Sequence, residues 1–153
     1  MNREIISAFS SAVVNIMPML GISNIKLVNE KKCGKQIEST GVIGIIGIIG
    51  ELSGNVFFAM DEACGKKIAS YMMGGMEVEE FGELAQSAIS ELSNMLAANA
   101  SMILSETGKM IDISTPTLIN GAFTVSSIFS EVICLEMLVE DMAFNIYLSV
   151  KEN

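Results

Sequence analysis

Glu91 and Asn94 stand one helical turn apart in the middle of the stretch Gly82–Thr107, which Gly108 closes. At about 100° per residue, Ser87, Asn94, Ala98 and Ser105 fall within about 60° of Glu91, with Glu83, Ser90 and Ser101 slightly further round. Ala85, Ile89, Leu92, Leu96 and Ile103 lie opposite, with Leu84, Ala88, Met95 and Met102 on the flank. The spacing predicts a two-faced helix, one side a core stripe. The other side carries a single long acid near its centre, an amide one turn on, and small residues around them. An ordinary solvated face would be full of Lys, Glu and Arg. Small side chains let another surface approach closely. Asn99 falls on the apolar side, where a structural amide needs a hydrogen-bond partner.

The rest of the chain narrows the chemistry further. Its 153 residues contain no histidine, which removes His triads, His proton shuttles and His-containing metal sites. Three widely spaced cysteines, Cys33, Cys64 and Cys134, form no CxxC pair and read as reduced thiols packing as small hydrophobes in a cytosolic protein. Glu77, Glu79, Glu80 and Glu83 suggest a metal site at first sight, but read as a solvated helix start where negative charge suits the dipole. Chemistry must therefore come from carboxylates, amides, hydroxyls, lysines or groups supplied by a partner. A formal charge of −9 repels phosphate backbones and argues against nucleic acid.

The elements around that helix follow from pattern. The length suits one domain over 1–153, and with half its residues hydrophobic it can bury a substantial core. Residues 2–18 read as a first helix: Ile5, Phe9, Ala12, Val13, Ile16 and Leu20 share one side, and Ser7, Ser11 and Asn15 lie opposite. That polar stripe argues against a membrane span, and Arg3 followed by Glu4 makes a poor signal-peptide flank. Residues 22–33 read as a strand and Lys31–Gln36 as a charged turn. Gly41–Met60 reads as two strands joined at Leu52–Asn55. The glycines at 41, 44, 47 and 50, three apart, suggest a bulged or closely packed strand; a phosphate loop would need another spacing and a Lys-Ser/Thr ending. Asp61 opens a helix that stops at Gly74–Gly75. Strand patterns follow at 111–114, 117–121, 123–129, 131–139 and 142–150. The expected fold is α+β: a mainly antiparallel β-sheet with the long motif-bearing helix and two further helices packed on it.

The segment SAISELSNMLAANA (Ser87–Ala100) resembles the signature helix of the CheX/CheC/FliY family of bacterial chemotaxis phosphatases. That family's pattern sets an Asp or Ser, a Glu four later, an Asn three after that and a Pro twenty-two further on; Ser87, Glu91, Asn94 and Pro116 match it. The DISTPT stretch (Asp112–Thr117) is similar to the family's segment after the helix. The first helix lacks an ExxN, so the resemblance is to CheX rather than to CheC-like members with two such helices. Ala98 stands where a Gly is usual, which places a methyl group at the partner-facing edge.

This resemblance implies a protein phosphatase acting on the aspartyl phosphate of a CheY-type response regulator in two-component signalling. Asn94 would orient the attacking water, since an amide does so without adding negative charge beside a phosphate. Glu91 would pair with the receiver's Lys. Ser87 and Ala98 would border the partner, and Pro116 would fix the chain's exit. It further implies no cofactor of its own, Mg²⁺ held in the partner receiver domain, a homodimer joined through its sheets with the strand at 41–50 as one means, and a cytoplasmic location. Two other readings stay open: a non-catalytic dimeric binding or scaffold module for receiver domains or the flagellar switch, and an unrelated acidic domain with a small-molecule pocket.

Overall fold

A computed structural model describes residues 1–129 and 131–153. Helix α1 (Arg3–Met19) opens on Asn2, whose side chain accepts from the Glu4 N–H at 2.8 Å. It buries Ile5, Phe9, Ala12, Val13 and Ile16 as the periodicity requires. Four strands follow: β1 (Ile25–Cys33), β2 (Gln36–Ser39), β3 (Val42–Gly50) and β4 (Leu52–Met60). Helix α2 (Glu62–Met72) and helix α3 (Glu83–Glu106) come next, then β5 (Ile111–Ile113), β6 (Thr117–Asn120), β7 (Phe123–Ser126), β8 (Val132–Val139) and β9 (Met142–Glu152). The main sheet is antiparallel throughout, in the order β1-β8-β9-β4-β3, with β5 and β6 both pairing along the far edge of β3. All three helices contribute to the core on one face of it, where Phe9, Leu92 and Leu96 meet Ile46, Phe58 and Phe144. Among the described residues, no helix is long and apolar enough to cross a membrane.

Two expectations about this half of the chain need correction. The charged turn at Lys31–Gln36 is shorter than expected: β1 runs on to Cys33, and β2 starts at Gln36. Strand β2 pairs with β7 as a separate two-stranded sheet. It packs over the outer face of the main sheet, where Ile37 covers Ile43, Phe57 and Val132. One buried isoleucine in a four-residue strand gives too little alternation to read. The join between β3 and β4 lies at Gly50–Glu51 rather than at Leu52–Asn55. There Gly50 takes φ +115°, a conformation that glycine adopts without steric cost.

Strand β3 is closely packed and unbulged against β4. Both of its edges are occupied, and Ile43 on its outer face is buried beneath the β2–β7 pair. It therefore offers no edge for joining two copies, contrary to the role expected of it. Two glycines on it mark close approaches. A Cβ at Gly44 would lie 2.0 Å from Ser93 Oγ on α3, and one at Gly47 would lie 3.2 Å from Ser114 Oγ.

Asp61 caps α2 as read, accepting from the Cys64 N–H at 2.7 Å. Asp61→Ala is expected to cost about 1 kcal/mol, which a thermal melt reads as a fall of roughly 2–4 °C. The three cysteines are free thiols, Cys64 and Cys134 buried and Cys33 partly so.

Candidate functional site

Helix α3 begins after Gly82 and ends at Thr107, with Gly108 at φ +89° behind it. Its Ala85, Ile89, Leu92 and Leu96 are buried. So is Ser93, which donates to the Ile89 carbonyl at 2.9 Å. That bond frees Ser93 from any outside partner and lets α3 lie directly on Gly44 of β3. Asn99 is half-buried rather than fully buried; its Oδ1 accepts from Asn15 Nδ2 at 3.1 Å and ties α3 to α1.

The second wall comes from the segment between β5 and β6. Strand β5 pairs with Ile48–Gly50 and β6 with Val42–Ile45, so Ser114–Pro116 leaves the ladder beside Gly47. Ser114 pins the excursion. Its N–H donates to the Gly47 carbonyl at 2.9 Å, its Oγ accepts from the Gly47 N–H at 2.7 Å, and its hydroxyl donates to the Thr115 carbonyl at 2.9 Å. Pro116 has no N–H to offer the ladder, so none is lost there. Ser101 Oγ, donating to the Ile111 carbonyl at 3.4 Å, holds α3 against this edge.

Between these walls lies an open groove of about 700 Å³. Helix α3 lines it with Glu83, Gln86, Ser87, Ser90, Glu91 and Asn94, and Thr115, Pro116 and Leu118 face them. Ser87 and Glu91 are exposed, and Ser90 and Asn94 half-buried. The structure thus brings together Ser87, Glu91, Asn94 and Pro116, the four positions singled out by spacing. Pro116 also lines the groove, beyond the structural part expected of it. Ala98 is half-buried and is not among the lining residues. Sequence reasoning missed Gln86, Thr115 and Leu118, which no spacing rule marks.

The face around Glu91 is less uniformly polar than its serines suggest. Leu84 and Met102 are exposed beside it rather than flanking the core. At about 100° per residue both lie only about 20° round the helix from Glu91.

Electrostatics set what the groove can do. No Lys or Arg occurs between Lys67 and Lys109, so α3 offers no cation to an anionic group. Any positive charge balancing an anion here must arrive with the partner. Glu77, Glu79 and Glu80 are exposed ahead of the helix, and among the described residues no three His, Cys, Asp or Glu side chains gather as a metal site. Thiol chemistry is unfavourable: burial pushes both Cys64 and Cys134 up to about 12, aided by Asp61 at the first and Cys33 at the second. What the groove does offer is a carboxylate and an amide held side by side on a rigid helix. They can pair with a cation and orient a water.

Comparisons with known proteins point to one family. Residues 42–128 match the family model described as chemotaxis phosphatase CheX. The chain is 33% identical to the CheY-P phosphatase CheX of Thermotoga maritima, over 99% of its own length and 98% of that protein. Its fold is shared by the chemotaxis protein CheX of Desulfovibrio desulfuricans, with a TM-score of 0.80 at 19% identity over 99% and 97% of the two chains. It is shared too by a chain of the CheX–CheY–BeF3–Mg²⁺ complex from Borrelia burgdorferi, with a TM-score of 0.75 at 24% identity over 97% and 96%.

Proposed function

The chain belongs to the CheX family of chemotaxis phosphatases, and we propose that Glu91 and Asn94 carry its activity by entering the active site of a phosphorylated CheY-type receiver domain. The observation behind this is the pair itself: an exposed carboxylate and a neighbouring amide on one rigid helix, lining an open groove that has no cation. The Borrelia burgdorferi neighbour, a CheX–CheY complex, supports the class of partner.

The substrate is an acyl phosphate on an Asp of the partner, already reactive. A water oxygen attacks phosphorus in line, the bond from phosphorus to the aspartyl oxygen breaks, and the aspartate leaves as a carboxylate. The water's proton goes to the departing phosphate. Mg²⁺ and a Lys belonging to the receiver balance the phosphoryl charge, which this chain cannot do. Asn94 accepts from and donates to the attacking water, fixing its line of approach. Glu91 pairs with the receiver's Lys and sets the register of the two proteins. Ser87 lies one turn before Glu91 and borders the partner. Ala98 does so from the next turn beyond Asn94. The protein acts in the cytoplasm as a homodimer joined through the sheet at a surface other than the edges of β3.

The test is the decay of an aspartyl-phosphorylated CheY-type receiver in Mg²⁺, with and without this protein. Faster decay is expected. Tight binding without acceleration, across several receivers, would replace the phosphatase by a scaffold module.

A further inference from the structure

A second groove opens between the end of α2 and the start of α3. It encloses about 390 Å³, and its apolar lining is Met73, Met76, Val78, Leu84 and Ala85. Met73 and Val78 are half-buried and Ala85 is buried, forming the floor. Met76 is 60% exposed and Leu84 70% exposed above it. One wall, residues 76–80, is a loop held at both ends. The Gly75 N–H donates to the Ser70 carbonyl at 2.8 Å and closes α2. At the other end Phe81 is buried against Gly65, where an added Cβ would meet its ring at 2.9 Å. Lys66 Nζ donates to the Glu79 carbonyl at 3.5 Å between them. The groove is therefore part of the fold and needs no partner to form it.

Its rim is acidic. Glu77, Glu79, Glu80 and Glu83 line it and are exposed, and among the described residues none of the four carboxylates forms an ion pair. Such a rim repels nucleic acid and anionic membranes and attracts cationic groups. Methionine side chains in the lining adapt to varied apolar partners. Charge complementarity thus selects a basic occupant with apolar anchors. A second copy of this chain is a poor one: its Lys26, Lys31 and Lys32 lie on β1, so copies would meet head-to-tail in a contact that propagates rather than closes. The receiver is already served on the other flank of α3. At about 100° per residue Ala85 lies about 120° from Glu91, and Asn94 about 60° to the opposite side. Glu83 alone lines both grooves.

We propose that this groove docks a basic amphipathic segment of a protein other than the receiver. Aliphatic side chains on one face of the segment enter between Met76 and Leu84, and its flanking Lys or Arg meet the four carboxylates. The segment and the receiver then bind side by side.

The test titrates the full chain with a labelled peptide of leucines at helical spacing among lysines, beside a scrambled peptide of the same composition. The scrambled peptide should bind about tenfold more weakly. Met76→Gln should weaken the ordered peptide about fivefold and Glu80→Lys about tenfold. Glu38→Lys, the same charge change on β2, should leave its affinity within twofold. Equal binding of the two peptides, or wild-type affinity in Met76→Gln, would overturn the proposal by reducing it to surface charge. With the ordered peptide saturating, receiver dephosphorylation should keep its KM within twofold; a KM raised about tenfold would overturn the proposal by assigning the groove to the receiver. Light scattering in which the peptide splits an oligomer of the chain would overturn it by making the groove a self-contact. The titration reads binding without turnover, so a failure of the phosphatase reading would leave its outcome intact.

Discussion

Asn94→Ala is expected to abolish the acceleration of receiver dephosphorylation while leaving the fold and the docking intact. A positioned polar group of this kind contributes about 10²–10⁴ in rate, and the loss should fall on kcat rather than on KM. Several features make the variant clean. Asn94 is half-buried at the groove, not in the core. Alanine is the better helix former, so the melting temperature should hold or rise slightly. Glu91 remains, so binding to a receiver carrying a phosphoryl mimic should stay within a few-fold of wild type. Asn94→Asp is the sharper companion. It keeps the shape but places a negative charge beside the phosphoryl group and removes the amide donor, and it should be as inactive as the alanine variant. An Asn94→Ala protein with wild-type kcat would move the chemistry elsewhere in the groove. Thr115 would be the next group to examine, since it faces α3 from the opposite wall.

Much of the site was legible because helical period alone places Ser87, Glu91 and Asn94 on one side of α3. The same period also fixes the buried stripe that holds them there. The strands after the helix were legible for a related reason, although β7 stops at Ser126 rather than at 129: Pro116, Gly121 and the alternation in β8 and β9 punctuate that region. Three features were not legible, each because it depends on a contact distant in sequence. The groove's second wall exists only because Ser114 bonds to Gly47, 67 residues earlier. The β2–β7 pair is held by Ile37 packing on Ile43, Phe57 and Val132, and four residues carry no period of their own. The openness of Leu84 and Met102 depends on where α1 and the sheet edge stop covering α3, which no single helix can report.

Gly44→Ala should impair the protein through geometry alone. Gly44 has no need of an unusual backbone angle; what it lacks is room. Its Cβ would fall 2.0 Å from Ser93 Oγ and 3.1 Å from Ser93 Cβ, and Ser93 is buried and bonded to the Ile89 carbonyl. Overpacking of this kind costs about 1–3 kcal/mol, so the melting temperature should drop by roughly 3–10 °C. The larger effect should be on rate. Ser93 sits between Glu91 and Asn94, so the clash is relieved by lifting the very turn that carries both. A displacement of about 1 Å in positioning groups can cost about 10²-fold. The folded fraction of Gly44→Ala should therefore turn over far more slowly than its stability loss explains. Adding Ser93→Ala removes the 2.0 Å clash but keeps the 3.1 Å one, so the double variant should recover most, not all, of both properties. A Gly44→Ala protein with wild-type rate and melting temperature would mean that α3 does not rest on β3 as described. The three-residue spacing of glycines then has a physical reading. Gly44 sets the height of the helix that carries Glu91 and Asn94, and Gly47 receives the segment that faces them. One strand thus fixes both walls of the groove.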